Sequence, residues 1–149
     1  MIDLKPLLSP RSVAVIGASP DVGSLRGRIV RVLNCHDFNG KIYPVSRSHK
    51  NIFGEPAFSS ILDVPETVEL AVLIIPAEYV LRTLEDCNKA GVKAALILSS
   101  GFAEDSSSAG NDLQAQLSEF ANKSGMIISG PNSEGFVNTK NNWILYTIP

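Results

Sequence analysis

The stretch Ser12-Val-Ala-Val-Ile-Gly-Ala-Ser19 decides the fold of this chain. It is a short, uninterrupted apolar run that passes directly into a loop containing glycine and serine. Continuous rather than alternating hydrophobicity predicts a strand that is buried on both faces, as in a parallel sheet covered by helices on each side. The residues up to Gly27 then predict a turn from this strand into a helix.

Four more apolar runs, each flanked by Gly, Pro, Ser or Asn, predict further buried strands at residues 42–45, 70–75, 94–98 and 126–128. Apolar residues at helical spacing lie between several of them, as in Val80, Leu84 and Cys87. This order predicts one α/β domain over residues 1–149, Rossmann-like and doubly wound, with a mainly parallel sheet flanked by helices. The late apolar run at residues 143–146 predicts an edge strand.

Composition excludes several classes of function. Thirteen basic and fifteen acidic residues give a net charge of -2, so no global basic field attracts nucleic acid or an anionic membrane. The apolar runs are far shorter than a membrane span, and we expect a soluble, cytoplasmic protein. His36, His49, Cys35 and Cys87 have no spacing typical of a zinc site or a nucleophilic triad. We therefore predict no metal site and no catalytic residue.

The loop from Gly17 to Gly23 predicts a diphosphate site. Gly17 allows a tight turn and a close approach, and Ser19, the backbone N–H groups and the helix N-terminus offer hydrogen bonds to an anion. We expect Arg26 and Arg28 to add charge at the mouth. Serine at position 19 departs from the G-x-G-x-x-G pattern, and no Gly-Lys-Ser/Thr follows. The alternative is that the glycines only shape the turn and hold no ligand.

The end of the second predicted strand is basic. Where NAD-binding domains place an acidic residue against the ribose, this chain has Ser46-Arg47-Ser48-His49-Lys50. An arginine pairs with phosphate oxygens that a carboxylate would repel, so the cluster suits a phosphorylated ribose, as in NADP or CoA. A solvated basic turn is the other interpretation.

Five ordered blocks of the chain form one pattern: Ser12-Val-Ala-Val-Ile-Gly-Ala-Ser19, Gly40-Lys-Ile-Tyr-Pro-Val45, Val68-Glu-Leu-Ala-Val-Leu-Ile-Ile-Pro-Ala77, Ser99-Ser-Gly-Phe-Ala-Glu104 and Gly130-Pro-Asn132. Together they resemble the CoA-binding domain of ADP-forming acetyl-CoA synthetases, which are NDP-forming acyl-CoA synthetases. They are also similar to the amino-terminal domain of the succinyl-CoA synthetase α-subunit.

The resemblance implies CoA as the ligand and assigns site residues by position. The diphosphate set is Gly17, Ala18, Ser19 and Gly23. The set at the ribose phosphate is Ser46 and Arg47. The wall at the thiol end is Pro76, Ala77, Ser99, Ser100 and Gly101.

The resemblance also implies a larger parent enzyme, an acid-thiol ligase in which the CoA thiol attacks an acyl phosphate. Its phosphotransfer histidine and its sites for ATP, ADP and Mg would lie in further domains or subunits, so we expect this chain alone to bind CoA or acyl-CoA without turnover. Two alternatives remain at this point: a CoA-binding regulatory domain of a protein-lysine acetyltransferase, and an NADP-binding oxidoreductase domain.

Overall fold

The computed structural model describes residues 2–147, which contain nine strands and four α-helices. The strands are β1 (Ser12–Ile16), β2 (Lys41–Val45), β3 (Asn51–Ile52), β4 (Glu55–Pro56), β5 (Leu70–Leu73), β6 (Ala94–Ile97), β7 (Ile127–Ser129), β8 (Gly135–Asn138) and β9 (Trp143–Tyr146). The helices are α1 (Lys5–Leu8), α2 (Leu25–Cys35), α3 (Val80–Lys89) and α4 (Ser108–Ser124). No helix in this described range is long and apolar enough to cross a membrane.

The main sheet has five strands in the order β2-β1-β5-β6-β7, and every pair is parallel. Strand β1 is buried along its whole length. Its Val13 and Val15 belong to the same apolar cluster as Ile29 of α2, whereas Ala14 belongs to the cluster that contains Leu84 of α3. Both faces of the sheet are covered by apolar side chains, which explains why the strands are continuous apolar runs in the sequence. The predicted doubly wound α/β fold is confirmed.

Local signals place the helix ends. The Ser24 hydroxyl accepts a hydrogen bond from the Gly27 backbone N–H and begins α2, and Ser107 does the same for α4 through Gly110. Helix α4 ends at Gly125, whose φ of +70° gives the left-handed conformation that glycine adopts without a steric penalty.

Several predicted strands differ in their bounds, and two of the differences have a clear structural reason. The strand predicted at residues 70–75 ends at Leu73, because beyond it the backbone N–H of Ile75 donates to the Ser99 hydroxyl instead of continuing the ladder. The strand predicted at residues 143–146 forms, but it pairs antiparallel with β8 in a hairpin separate from the main sheet. Its Trp143 and Leu145 are buried in the cluster that also contains residues of α2.

Candidate functional site

A cleft of about 840 Å³ lies at the carboxyl edge of the main sheet. Strands β1 and β5 are neighbours in the sheet, but β1 is followed by α2 and β5 by α3, and these helices pack in different apolar clusters. The loops after the two strands therefore diverge, and a crevice opens between them. The lining residues are Ile16, Gly17, Leu25, Arg26, Val45, Ser46, Arg47, Ser48, Ser59, Ser60, Ile61, Ile74, Ile75, Pro76, Tyr79, Arg82, Thr83, Asp86, Leu98, Ser99 and Ser100.

Gly17 lies at the centre of this edge, where three strands end. Its φ is +93°, and a β-carbon at this position would lie 2.2 Å from the carbonyl oxygen of Ile74. The backbone N–H groups of Gly17 and Ala18 both donate to the carbonyl oxygen of Val45, at 3.0 and 3.2 Å. Only glycine fits this backbone, and the two N–H groups are occupied within the protein.

Asp21 organises the loop that follows. Its carboxylate accepts a hydrogen bond from the Gly23 N–H at 2.9 Å, and its own N–H donates to the Ser19 hydroxyl at 3.1 Å. Within residues 2–147, in contrast, the backbone N–H groups of Leu25 and Arg26 have no hydrogen-bond acceptor. The first turn of α2 therefore presents free donors and the positive end of the helix dipole, whereas the Gly23 N–H is already occupied.

The end of β2 contributes a second side of the cleft. Ser46 is buried, and its hydroxyl lies 3.2 Å from Nδ1 of His49. The guanidinium of Arg47 lies 6.0 Å from the ring centre of Tyr79, so the loops after β2 and β5 meet across the cleft through a cation–π contact.

The charge of the cleft is opposite in sign to that of the whole chain. Arg26, Arg47 and Arg82 line it, and among the residues that the structure describes Asp86 is the only acidic one in the lining. The side chain of Arg26 is held in place, because its Nε donates to the carbonyl oxygen of Gly17 at 2.5 Å. Three guanidiniums around one cleft create a local anion site that the net charge of -2 does not reveal.

The loop after β6 forms a third wall. Ser99 is buried, and its hydroxyl accepts from the Ile75 N–H and donates to the Leu73 carbonyl, so this side chain joins β5 to the loop. Glu104 accepts hydrogen bonds from the N–H groups of Gly101 and Phe102, at 2.6 and 3.2 Å. The Gly101 hydrogen bond is the main reason that the pKa of Glu104 is lowered. Glu104 thus fixes the conformation of this loop. The two backbone hydrogen bonds account for its position and its lowered pKa without a catalytic role.

The structure brings six of the eleven predicted site residues onto the lining of the cleft: Gly17, Ser46, Arg47, Pro76, Ser99 and Ser100. It leaves Ala18, Ser19, Gly23, Ala77 and Gly101 outside that lining. Ala18 and Ala77 are buried, and Ser19 and Gly23 hydrogen-bond within their own loop. Arg28, which we expected at the mouth, lines a different cavity on α2.

Helix α3 contributes to the cleft in a way that the sequence did not predict. Arg82, Thr83 and Asp86 line the cleft, although the apolar spacing of this helix identified only its buried face. The sequence signal that could have identified these residues is their position on the helix that directly follows Pro76 and Ala77, which were already assigned to the ligand site. Within residues 2–147, no group of three or more His, Cys, Asp or Glu residues is arranged to hold a metal ion.

Comparison with known proteins identifies the class of ligand. Residues 11–139 match a family model described as CoA binding domain. The acetate–CoA ligase (ADP-forming) II of Archaeoglobus fulgidus is 42% identical over 142 residues, which are 95% of this chain and 21% of the ligase. The acetate–CoA ligase (ADP-forming) of Methanocaldococcus jannaschii is 41% identical, over 92% of this chain and 19% of that protein.

A solved structure agrees with these matches. The dinucleotide forming acetyl-coenzyme A synthetase 1 of Ca. Korarchaeum cryptofilum, in complex with phosphate and ADP, superposes with a TM-score of 0.92 and 34% identity. The superposition covers 100% of this chain and 32% of the synthetase. The chain thus spans about a fifth of the length of the two curated relatives and a third of the solved one.

Proposed function

Since this chain belongs to the CoA-binding domain family, we propose that it binds CoA or acyl-CoA in the cleft at the carboxyl edge of its sheet. The observation that carries this assignment is the convergence of Arg26, Arg47 and Arg82 beside the close backbone approach at Gly17. A ligand with a diphosphate and a third phosphate on its ribose matches that distribution of positive charge.

The residues of the cleft fit CoA. A volume of about 840 Å³ suits a cofactor-sized ligand, since such pockets usually measure about 300–1,000 Å³. The first turn of α2, with Arg26, would hold the diphosphate. Arg47, at the end of β2, would pair with the 3'-phosphate of the ribose. Pro76 and Ser100, on the opposite loops, would line the path of the pantetheine arm.

The role in a whole enzyme is part of the same proposal. We place this domain at the amino terminus of an NDP-forming acyl-CoA synthetase, an acid-thiol ligase, because the acetate–CoA ligases described above match nearly all of it. When bound, CoA would supply the thiol that accepts the acyl group. Phosphotransfer, ATP or ADP and Mg would belong to other domains or subunits, and this chain by itself would bind without turnover.

The two alternative functions are not favoured. An NADP-binding domain would share the basic end of β2, but the matched family binds CoA, and serine at position 19 replaces the second glycine of the dinucleotide pattern. A regulatory domain of a protein-lysine acetyltransferase would also bind CoA, but the relatives described above are acetate–CoA ligases.

Thermal unfolding with CoA and with NADPH tests the assignment. A ligand that binds only the folded state stabilises it by RT ln(1 + [L]/Kd), or about 2.7 kcal/mol at a concentration of 100 Kd. We expect saturable stabilisation by CoA and little by NADPH at the same concentration and ionic strength. Stabilisation by NADPH alone would overturn the proposal.

A further inference from the structure

A second cavity, of about 260 Å³, lies against the carboxyl-terminal half of α2, where that helix meets the end of β9. Its lining residues are Arg28, Arg31, Val32, Cys35, His36, Tyr146 and Thr147. None of these residues lines the cleft assigned to CoA. With a rise of about 1.5 Å per residue, His36 lies about 15 Å along the helix from Arg26.

Two guanidiniums face this cavity from one side of α2. Arg28 and Arg31 are three residues apart, so their side chains lie on adjacent turns of the same face. The Nε atom of Arg28 is buried and has no hydrogen-bond partner among residues 2–147. Among residues 2–147, no carboxylate forms a salt bridge with either arginine. A buried guanidinium N–H group without an acceptor costs free energy that an anionic ligand would recover.

The remaining walls supply further donors and an apolar surface. Nε2 of His36 and the hydroxyl of Tyr146 lie 3.4 Å apart, and their rings meet edge to face at 5.9 Å. The Thr147 hydroxyl already donates to the carboxylate of Glu134. Val32 contributes apolar side-chain surface. The cavity thus combines cationic groups with a small apolar wall.

We propose that this cavity is a second binding site, for a small oxyanion such as a carboxylate or a phosphate carried on a short apolar group. The planar donor fork of an arginine matches two oxygens of either anion, and two such forks on one helix face hold it from adjacent turns. His36 and Tyr146 share one hydrogen bond, so this pair adds one further donor, either an imidazole N–H or the Tyr146 hydroxyl. The site is separate from the proposed CoA cleft and does not depend on that assignment.

The two histidines of the chain allow both sites to be observed separately. His36 lines the second cavity, whereas His49 contacts Ser46 of the cleft. Proton NMR of the imidazole signals, assigned with His36→Gln and His49→Gln, follows titration with inorganic phosphate or with sodium acetate. The pH and the ionic strength are kept constant, so that only anion binding moves the signals.

We expect the His36 signal to shift saturably with at least one probe, and the probe with the lower Kd identifies the preferred anion. Arg31→Gln, at an exposed position, should raise this Kd at least about tenfold, and Arg28→Gln should do the same. Arg26→Gln, the matched control in the cleft, should leave the His36 response unchanged. Thermal unfolding of each variant confirms that it folds.

Two results would overturn the second site. A His36 shift that grows linearly without saturation would indicate an adventitious ion only. An equal Kd in the wild type and in Arg31→Gln would show that the guanidiniums do not hold the anion. Because Arg31 is exposed, Arg31→Gln should fold, so this comparison can be made even if Arg28→Gln does not fold.

Discussion

The backbones of Gly17 and Ile74 touch: a β-carbon added to residue 17 would lie 2.2 Å from the carbonyl oxygen of Ile74. This contact joins the end of β1 to the loop after β5, at the edge of the sheet where the loops that follow these two strands diverge. The contact leaves no room for a side chain at residue 17, because even a β-carbon would push the loop after β5 away from the end of β1.

Gly17→Ala should destabilise the fold more than an ordinary glycine substitution. The matched control is Gly54→Ala, since Gly54 has a similar φ of +88° but nothing within 4 Å of an added β-carbon. We expect Gly54→Ala to cost about 1–2 kcal/mol from the backbone conformation alone. Gly17→Ala should cost clearly more in the free energy of unfolding, measured with urea. Equal losses would show that the contact with Ile74 relaxes without penalty.

Arg47→Gln should weaken CoA binding by about 1–3 kcal/mol, as measured by calorimetry, because a charge-assisted hydrogen bond of that size would be lost. The same variant should bind dephospho-CoA, which lacks the 3'-phosphate, as well as the wild type does. This pair of ligands tests the specific partner proposed for Arg47, and not only the charge of the cleft.

Arg31→Gln is the control for net charge in that experiment, since it removes the same charge outside the cleft. Its affinity for CoA should be that of the wild type. If Arg47→Gln and Arg31→Gln weakened CoA binding equally, or if Arg47→Gln weakened dephospho-CoA as much as CoA, the position of the ribose phosphate would be wrong.

Glu104 should make the stability of the protein depend on pH in the acidic range. Hydrogen bonds from Gly101 and Phe102 lower the pKa of Glu104 below its ordinary value of 4.5. Because the folded-state pKa is the lower one, the stabilisation is fully present above pH 4.5 and is lost as the pH falls through the folded-state pKa. Glu104→Gln should therefore be less stable than the wild type at pH 7, and the difference should disappear at acidic pH. Urea unfolding between pH 7 and 3 measures it, and a difference that is constant with pH would contradict this role.

The two thiols should differ in reactivity. Burial raises the pKa of Cys87 to about 12, and Cys87 is fully buried, whereas Cys35 is exposed beside the second cavity. A maleimide should label one thiol per native chain and two per chain in urea. Cys35→Ser should abolish native labelling, and Cys87→Ser should preserve it. Labelling of native Cys35→Ser would mean that the core around Cys87 opens readily.

The five strands of the main sheet and part of the cleft could be predicted from the sequence because their signals are local. Parallel strands covered on both faces need continuous apolar runs, and the run before Gly17 has no polar interruption. A strand followed by a glycine turn and a helix places a ligand at the carboxyl edge in any doubly wound sheet. Gly17 and Arg47, which the sequence assigns to one ligand site, therefore line the same cleft.

Other features follow only from the tertiary structure. Gly23 fits a phosphate loop by position, yet its N–H donates to the Asp21 carboxylate, and the first turn of α2 has N–H groups without an acceptor among the described residues. Arg82 reaches the cleft because of the way α3 packs on the sheet. Arg28 and Tyr146, 118 positions apart, share a cavity because β9 packs on α2.

The sequence by itself determined the order of the strands of the main sheet, the glycine turn and, through the family resemblance, the class of ligand, because burial patterns and motifs follow one another in a fixed order along the chain. Tertiary structure alone decided which donors remain free and which charges face one another. Hydrogen bonds and charge pairs form between atoms that folding brings within about 3–4 Å, and that proximity has no fixed spacing in sequence.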